Sequence, residues 1–172
     1  KKLTRNFLGS FLGIIIFGVP TAQVGATGQT LRVGIYSGTF DPPHLAHRSL
    51  VESLISQDLF DQIIVVPSHF PPGKTAQAPF ERRLQWTKQT FENLSRVTVS
   101  DFESSSEKTV FGVDIFRHFS TARPGAHFSW IVGDDQWEQI PYWNQIDSYA
   151  SAITWVVLDR TQIKYKFPGL LS

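Results

Sequence analysis

The sequence predicts a single α/β domain built on a doubly wound, five-stranded parallel sheet. Short apolar runs alternate along the chain with longer stretches whose apolar residues recur every three or four positions. The apolar runs are continuous and rich in β-branched residues, as at 63–66, and such runs are typical of strands buried on both faces. Gly and Pro separate the two kinds of segment.

Five strands and four helices follow one another in this pattern. Strands are predicted at about 31–37, 62–67, 96–101, 128–133 and 152–158, and helices at about 44–57, 79–94, 110–121 and 136–140. Pro79 and Glu81 favour a helix start, because proline and acidic residues suit the first turn. The proline-rich stretch 68–74 and the serine-rich stretch 103–108 are predicted loops.

Length and composition favour one globular domain, which we expect to span residues 29–172. The chain has 172 residues, 41% of them hydrophobic, which is close to the usual size of a domain. A net charge of +1 gives no bulk attraction to nucleic acid. The absence of cysteine excludes disulfides and thiolate metal sites.

The first 28 residues differ in composition from the rest. A basic start at 1–5 precedes an apolar run from Phe7 to Val19, and small residues follow around Ala26. This order is typical of a secretory signal peptide, and the run is short for a membrane span. We expect residues 1–28 to be a signal-like or N-terminal tail, which favours an exported or periplasmic protein whose membrane contact is confined to 7–19. An N-terminal core helix is the alternative.

The stretch from Gly38 to His47 is the strongest candidate for a functional site. It joins the first predicted strand to the first predicted helix and contains His44 and His47. Backbone N–H groups at a helix start are unpaired and the helix dipole favours anions there, so such a turn can hold phosphate. Residues three apart lie on one helix face, and both imidazoles can therefore contact the same ligand. A turn with two surface histidines is the alternative.

These ten residues, Gly-Thr-Phe-Asp-Pro-Pro-His-Leu-Ala-His, resemble the G-x-F-x-P-x-H-x-G-H signature of the adenylyl- and cytidylyltransferases that share a Rossmann-like fold. Ala46 stands at the usual glycine. The resemblance implies a cytoplasmic enzyme that uses ATP, with Mg²⁺ held mainly by the substrates and water. It implies that the ATP-binding residues include Gly38, Thr39, Phe40, His44 and His47, the two histidines being catalytic.

The stretch from Trp130 to Trp143 is similar to the G-x-D-x-x-x-x-L-P-x-W region of nicotinate-mononucleotide adenylyltransferases. The resemblance implies that Gly133 and Asp135 belong to the ATP site, with Asp135 on a ribose, and that Trp143 stacks on the pyridine ring. A carboxylate at a strand end can accept from two sugar hydroxyls, and an indole offers a flat face. A core position is the alternative for Trp143, because most tryptophans pack.

The loop after the second predicted strand is similar to a family loop that ends P-P-H-[KR]. Gly73 replaces the histidine and Lys74 remains. The resemblance implies a substrate contact at Lys74, since a lysine can meet phosphate as a point charge; a solvated lysine is the alternative. In the following helix, Arg82 and Arg83 are interpreted as surface residues first.

The stretch 108–114 corresponds to the family sequence S-Y-T-x-D-T-L, which grips the nicotinate carboxylate largely through backbone groups. Phe111 takes the Tyr place and Gly112 the Thr place, so the resemblance implies substrate contacts at both. Asp114 is interpreted as a structural helix residue. Arg160 follows the last predicted strand, and the resemblance implies that it contacts ATP. The family's second ATP motif, I-S-[ST]-T-x-[IV]-R, has no counterpart before Ser172, so we expect the C-terminal part of the domain to be missing or the ATP site to be reduced.

Together these features predict an adenylyltransferase of NAD biosynthesis. It would join a pyridine mononucleotide, nicotinate rather than nicotinamide, to the AMP part of ATP and release pyrophosphate. An exported, non-catalytic nucleotide-binding or interaction module derived from such an enzyme is the alternative, favoured by the signal-like start. The third interpretation is another adenylyltransferase of the superfamily.

Overall fold

Strands and helices alternate along the chain, as the sequence predicts. The computed structural model describes residues 14–17 and 30–158. The strands are β1 Ile14–Phe17, β2 Arg32–Gly38, β3 Gln62–Pro67, β4 Val97–Val99, β5 His127–Gly133 and β6 Ile153–Leu158. The helices are α1 Leu45–Ser56, α2 Phe80–Thr90, α3 Gly112–Ala122 and α4 Asp134–Trp137, and 3₁₀ turns at Ile140–Tyr142, Ile146–Ser148 and Ala150–Ala152 precede β6.

The sheet has the order β1-β6-β5-β2-β3-β4, and β2 to β6 run parallel. The expected single α/β domain with five parallel strands is therefore confirmed. The chain winds outward from β2 in both directions, through β3 to β4 and through β5 to β6. Ligands bind such sheets outside the carboxyl ends of the strands, where the strand order reverses. That point lies between β2 and β5 in this protein.

A sixth strand, β1, adds an antiparallel edge that the sequence analysis did not predict. Ile14 lies opposite Leu158 of β6. The strand falls within the apolar run that we interpret as part of a signal-like leader. The remaining residues of that leader lie outside the described residues, and the leader stays a prediction. Among the helices of the described ranges, none has the length and apolar character needed to cross a membrane.

The sheet is buried on both faces, which explains the continuous apolar runs in its strands. Ile64 of β3 belongs to one core with Phe119 of α3. Its neighbour Ile63 belongs to the other core with Leu54 of α1, because successive side chains of a strand point to opposite faces. Full burial of a side chain such as Leu54 contributes about 1.5–3 kcal/mol. The two cores therefore hold α1 and α3 on opposite faces of the sheet.

Helix boundaries differ from the prediction by a few residues. Helix α2 ends at Thr90 rather than near residue 94, since Asn93 has a left-handed backbone with φ of 61° and the chain turns there. Helix α4 begins at Asp134, directly after β5, with Gly133 as its N-cap. These shifts leave every predicted candidate residue of the described chain at the carboxyl edge of the sheet or in the loops beyond it.

Candidate active site

The turn between β2 and α1 brings the two predicted histidines together. His44 is the N-cap of α1, and its backbone N–H donates to Nδ1 of His47 over 3.0 Å. A side chain three residues beyond the N-cap commonly caps this N–H group. The centroids of the two imidazole rings lie 3.7 Å apart. One ligand can therefore meet both rings at the helix start.

The contact to His44 assigns the protonation of the His47 ring. Because Nδ1 accepts a hydrogen bond, it carries no proton, and the ring hydrogen of the neutral imidazole is on Nε2. His47 is half-buried, with its ring edge-on to Phe40 at a centroid distance of 5.1 Å, whereas His44 is exposed. The surrounding structure therefore orients His47 as a donor through Nε2.

Phe40 supports this turn from below. Its side chain is buried and packs edge-on against Tyr36 and Phe91. Its φ of 48° is in the left-handed region that bulky residues rarely adopt, so packing holds the backbone in this conformation. The Phe40 ring is thereby held in the core beneath the turn. Gly38 and Thr39 lie just before it, at the carboxyl end of β2.

Arg83 is buried, which corrects the interpretation that it lies on the helix surface. Only 1% of the residue is exposed, because its side of α2 faces the carboxyl ends of β2 and β3. One terminal nitrogen donates to the carbonyls of Thr39 and Ser68, both at 2.7 Å, and the other donates to the carbonyl of His69 at 3.1 Å. Arg82, its neighbour, is exposed as expected. Arg83 therefore joins two loops of the candidate site.

Glu103 is a site residue that the sequence analysis missed, since it lies in the predicted serine-rich loop. It is 1% exposed. Its Oε2 accepts from the N–H of His69 at 2.7 Å and from the hydroxyl of Ser68 at 3.3 Å, while Oε1 has no partner within the described part of the chain. Burial raises the pKa of Glu103 to about 7, although both of these donors and the nearby Arg83 oppose the shift. A carboxylate just beyond a strand end was the available signal.

Asp135 and Trp143 lie beyond the carboxyl end of β5. Asp135 is exposed in the first turn of α4, and its N–H donates to the side chain of Asp134 at 2.9 Å. Trp143 is half-buried, with its ring nearly perpendicular to those of Trp130 and Trp155 at centroid distances of 5.6 and 5.9 Å. Unlike these two buried indoles, Trp143 is partly accessible to a ligand.

Gly112 begins α3 at a point where no side chain fits. An added Cβ would lie 2.5 Å from Oη of Tyr149 and 3.3 Å from the Trp143 ring. Tyr149 is 2% exposed, and burial raises its pKa to about 12. Its hydroxyl has no hydrogen-bond partner among residues 30–158. This close approach leaves no room for a side chain at position 112.

The other predicted residues are placed as follows. Phe111 is the N-cap of α3, and its N–H donates to the carboxylate of Asp114 at 3.1 Å. This contact caps the helix and agrees with the interpretation of Asp114 as a structural residue. Lys74 is exposed in the loop after β3. Arg160 lies outside the described residues, and its predicted contact with ATP stays a prediction.

The fold and the histidine turn at its switch point define a nucleotidyltransferase. Residues 35–170 match the sequence model of the cytidylyltransferase-like family, and the chain belongs to that family. One relative is named "Probable nicotinate-nucleotide adenylyltransferase" and comes from Sulfurovum sp. It is 30% identical over 141 residues, which are 81% of this chain and 74% of the relative. Another relative of the same name, from Thermotoga sp., is 36% identical over 130 residues, which are 75% of this chain and 65% of the relative.

A solved structure shows the same fold. The nicotinic acid mononucleotide adenylyltransferase of Plasmodium falciparum, complexed with NaAD, has a TM-score of 0.67 at 21% identity. The match covers 80% of this chain and 72% of that protein. The two relatives and the family match confirm the predicted resemblance to nicotinate-mononucleotide adenylyltransferases, and the protein is a nucleotidyltransferase.

Proposed function

We propose that this chain joins nicotinate mononucleotide to the AMP part of ATP and releases pyrophosphate. A phosphate oxygen of the mononucleotide forms a bond to the α-phosphorus of ATP. The bond from that phosphorus to the bridging oxygen breaks, and pyrophosphate leaves with the electron pair. The observation that carries the proposal is the pair of histidines, His44 and His47, at the point where the strand order reverses. The relatives named as probable nicotinate-nucleotide adenylyltransferases support it.

The two histidines act by stabilising charge. Negative charge develops on the α-phosphate and the leaving pyrophosphate as the bond breaks, and preorganised donors lower the barrier without further rearrangement. His47 donates from Nε2, because its Nδ1 is engaged by the N–H of His44. His44 adds a second ring at the helix start. The N–H groups of the first turn of α1 favour the same anion.

The remaining predicted residues divide between the two substrates. The backbone of residues 38–40, together with Gly133, Asp135 and Arg160, is assigned to ATP. The assignment to the mononucleotide rests on Trp143 for the ring, Lys74 for the phosphate, and the start of α3 at Phe111 and Gly112 for the carboxylate. The N–H of Phe111 is engaged by Asp114. The N–H groups that follow it in the first turn of α3 favour a carboxylate over a neutral amide, which supports nicotinate as the acceptor.

Mg²⁺, when bound, supplies positive charge to the phosphates. Residues 14–17 and 30–158 contain no group of three or more His, Asp or Glu side chains arranged to hold a metal ion. The ligands assigned to Mg²⁺ are phosphate oxygens and water, which this ion commonly keeps at nucleotide sites.

The test is turnover with ATP, Mg²⁺ and either mononucleotide, measured as pyrophosphate release and dinucleotide formation. His47→Ala is expected to lower kcat by about 10² while the protein stays folded. His118→Ala, which alters an exposed histidine of α3, is the matched control. Turnover of the His47 variant within twofold of wild type would remove the proposed role. Binding of ATP without pyrophosphate release by the wild type would favour the non-catalytic alternative.

A further inference from the structure

We propose that Glu103 and Arg83 are positioning residues that set the distance between the phosphate-binding turn after β2 and the loop after β3. This inference rests on the proposed function, in which the first loop holds ATP and the second, through Lys74, contacts the mononucleotide. In-line transfer requires the two substrates to be held at a fixed separation. A rigid link between the loops supplies that separation.

Arg83 makes the link on one side. A single nitrogen of its planar guanidinium donates to Thr39 of the first loop and to Ser68 of the second, both at 2.7 Å. Its Nε donates to the carbonyl of Ala78 at 3.0 Å, which anchors the side chain at the start of α2. The guanidinium is flat and rigid, so these bonds leave little freedom between the two loops.

Glu103 completes the link from the end of β4. In the peptide unit between Ser68 and His69, the carbonyl accepts a hydrogen bond from Arg83 and the N–H donates one to Glu103. This one peptide plane is therefore held at both of its polar groups. The His69 ring adds a third restraint, since its Nδ1 lies 3.1 Å from the carbonyl of Glu103. The same ring is stacked between Phe70 and Phe80, with centroids 4.2 and 4.4 Å away.

The chemistry of this cluster indicates function rather than stability. A buried carboxylate with one unpartnered oxygen costs free energy, and apolar residues of similar volume often stabilise a fold better. The charged and titratable groups that face Glu103 are Arg83 from α2 and His69 from the loop after β3. Asp41 and Glu81 also attract the Arg83 charge. Protonation of Glu103 removes its attraction for Arg83 and weakens the link.

The experiment compares Glu103→Ala with Glu103→Gln in the purified chain. The alanine variant loses the acceptor for the His69 N–H, and its KM for the mononucleotide is expected to rise about tenfold or more. The glutamine variant keeps an acceptor oxygen but no charge. Its KM should exceed that of wild type at pH 8 and match it at pH 6, where the wild-type carboxyl is protonated. A residue with a merely structural role would not produce this pH-dependent ratio.

Controls come from the same elements. Glu107→Gln changes an exposed carboxylate of the same loop, and Arg82→Lys is matched to Arg83→Lys on α2. We expect both controls to behave as wild type. Arg83→Lys should raise the KM for the mononucleotide about tenfold, because a single ammonium group cannot make the several fixed hydrogen bonds of the guanidinium. A folded Glu103→Ala protein with KM and kcat within twofold of wild type overturns the proposal.

Hydrogen exchange separates this inference from the proposed function, because it needs no substrate. The amide of His69 should exchange at least about tenfold faster in Glu103→Ala than in wild type. If wild type turns over neither mononucleotide, the proposed function fails, and the exchange rate still decides whether Glu103 holds the loop. If Glu103→Ala does not fold, Ser68→Ala takes its place, because it removes one hydrogen-bond partner of the carboxylate. The exchange rate of the His69 amide is then measured in that variant. An unchanged His69 rate in a folded variant overturns the proposal.

Discussion

Replacing Glu103 with glutamine should stabilise the protein at high pH. The pKa of this carboxyl rises from an ordinary 4.5 to about 7 in the folded state because of burial. Between these two values the folded chain binds more protons than the unfolded chain, so the free energy of unfolding of wild type falls as the pH rises. Each tenfold change in proton affinity corresponds to about 1.4 kcal/mol. Ionisation of the buried carboxyl therefore lowers the free energy of unfolding by roughly 3 kcal/mol at pH 8 and by less than about 1 kcal/mol at pH 5.

The glutamine side chain resembles the protonated carboxyl and carries no charge to desolvate. Urea unfolding at pH 5 and pH 8, followed by the fluorescence of the five tryptophans, measures the difference between variant and wild type. The expected result is a variant more stable by about 2–3 kcal/mol at pH 8 and nearly equal at pH 5. Glu107→Gln, at an exposed position of the same loop, should show no difference at either pH.

A less stable Glu103→Gln at pH 8 would refute this reasoning. It would mean that the attraction of Arg83 outweighs the cost of burying the charge. If instead the variant is more stable and also binds the mononucleotide more weakly, stability and function change in opposite directions. This combination is expected where a protein keeps a costly group at its active site.

Two further predictions concern single contacts. Gly112→Ala should lower the free energy of unfolding by about 1–3 kcal/mol, because the new Cβ meets Oη of Tyr149 at 2.5 Å. Tyr149→Phe in the same chain should recover part of this loss in a thermal melt, and no recovery would contradict the contact. Asp61→Asn should cost less than about 1 kcal/mol at pH 7, since Arg32 lowers the pKa of this half-exposed carboxyl to about 2. That stabilisation is present above pH 3.8 and is lost as the pH falls toward 2, whereas Asp147→Asn should change nothing.

The sequence by itself determined the features that depend on neighbours along the chain. The strand predicted at 62–67 matches β3 at both ends, because a continuous β-branched run between turn residues permits little else. The adjacency of His44 and His47 follows from a spacing of three residues at a helix start. The fold class follows from the alternation of strand and helix patterns, since each βαβ unit is a local arrangement.

Only the tertiary structure decided how the ends of separate strands meet. Arg83 contacts Thr39 across 44 positions and Ser68 across 15, and Glu103 contacts His69 across 34. The close approach of Tyr149 to Gly112 and the pairing of β1 with β6 also join residues far apart in sequence. No helical or strand periodicity encodes contacts of this range. They arise when parallel strands bring their carboxyl ends to one edge of the sheet, and burial there turns a surface arginine and a loop glutamate into the framework of the site.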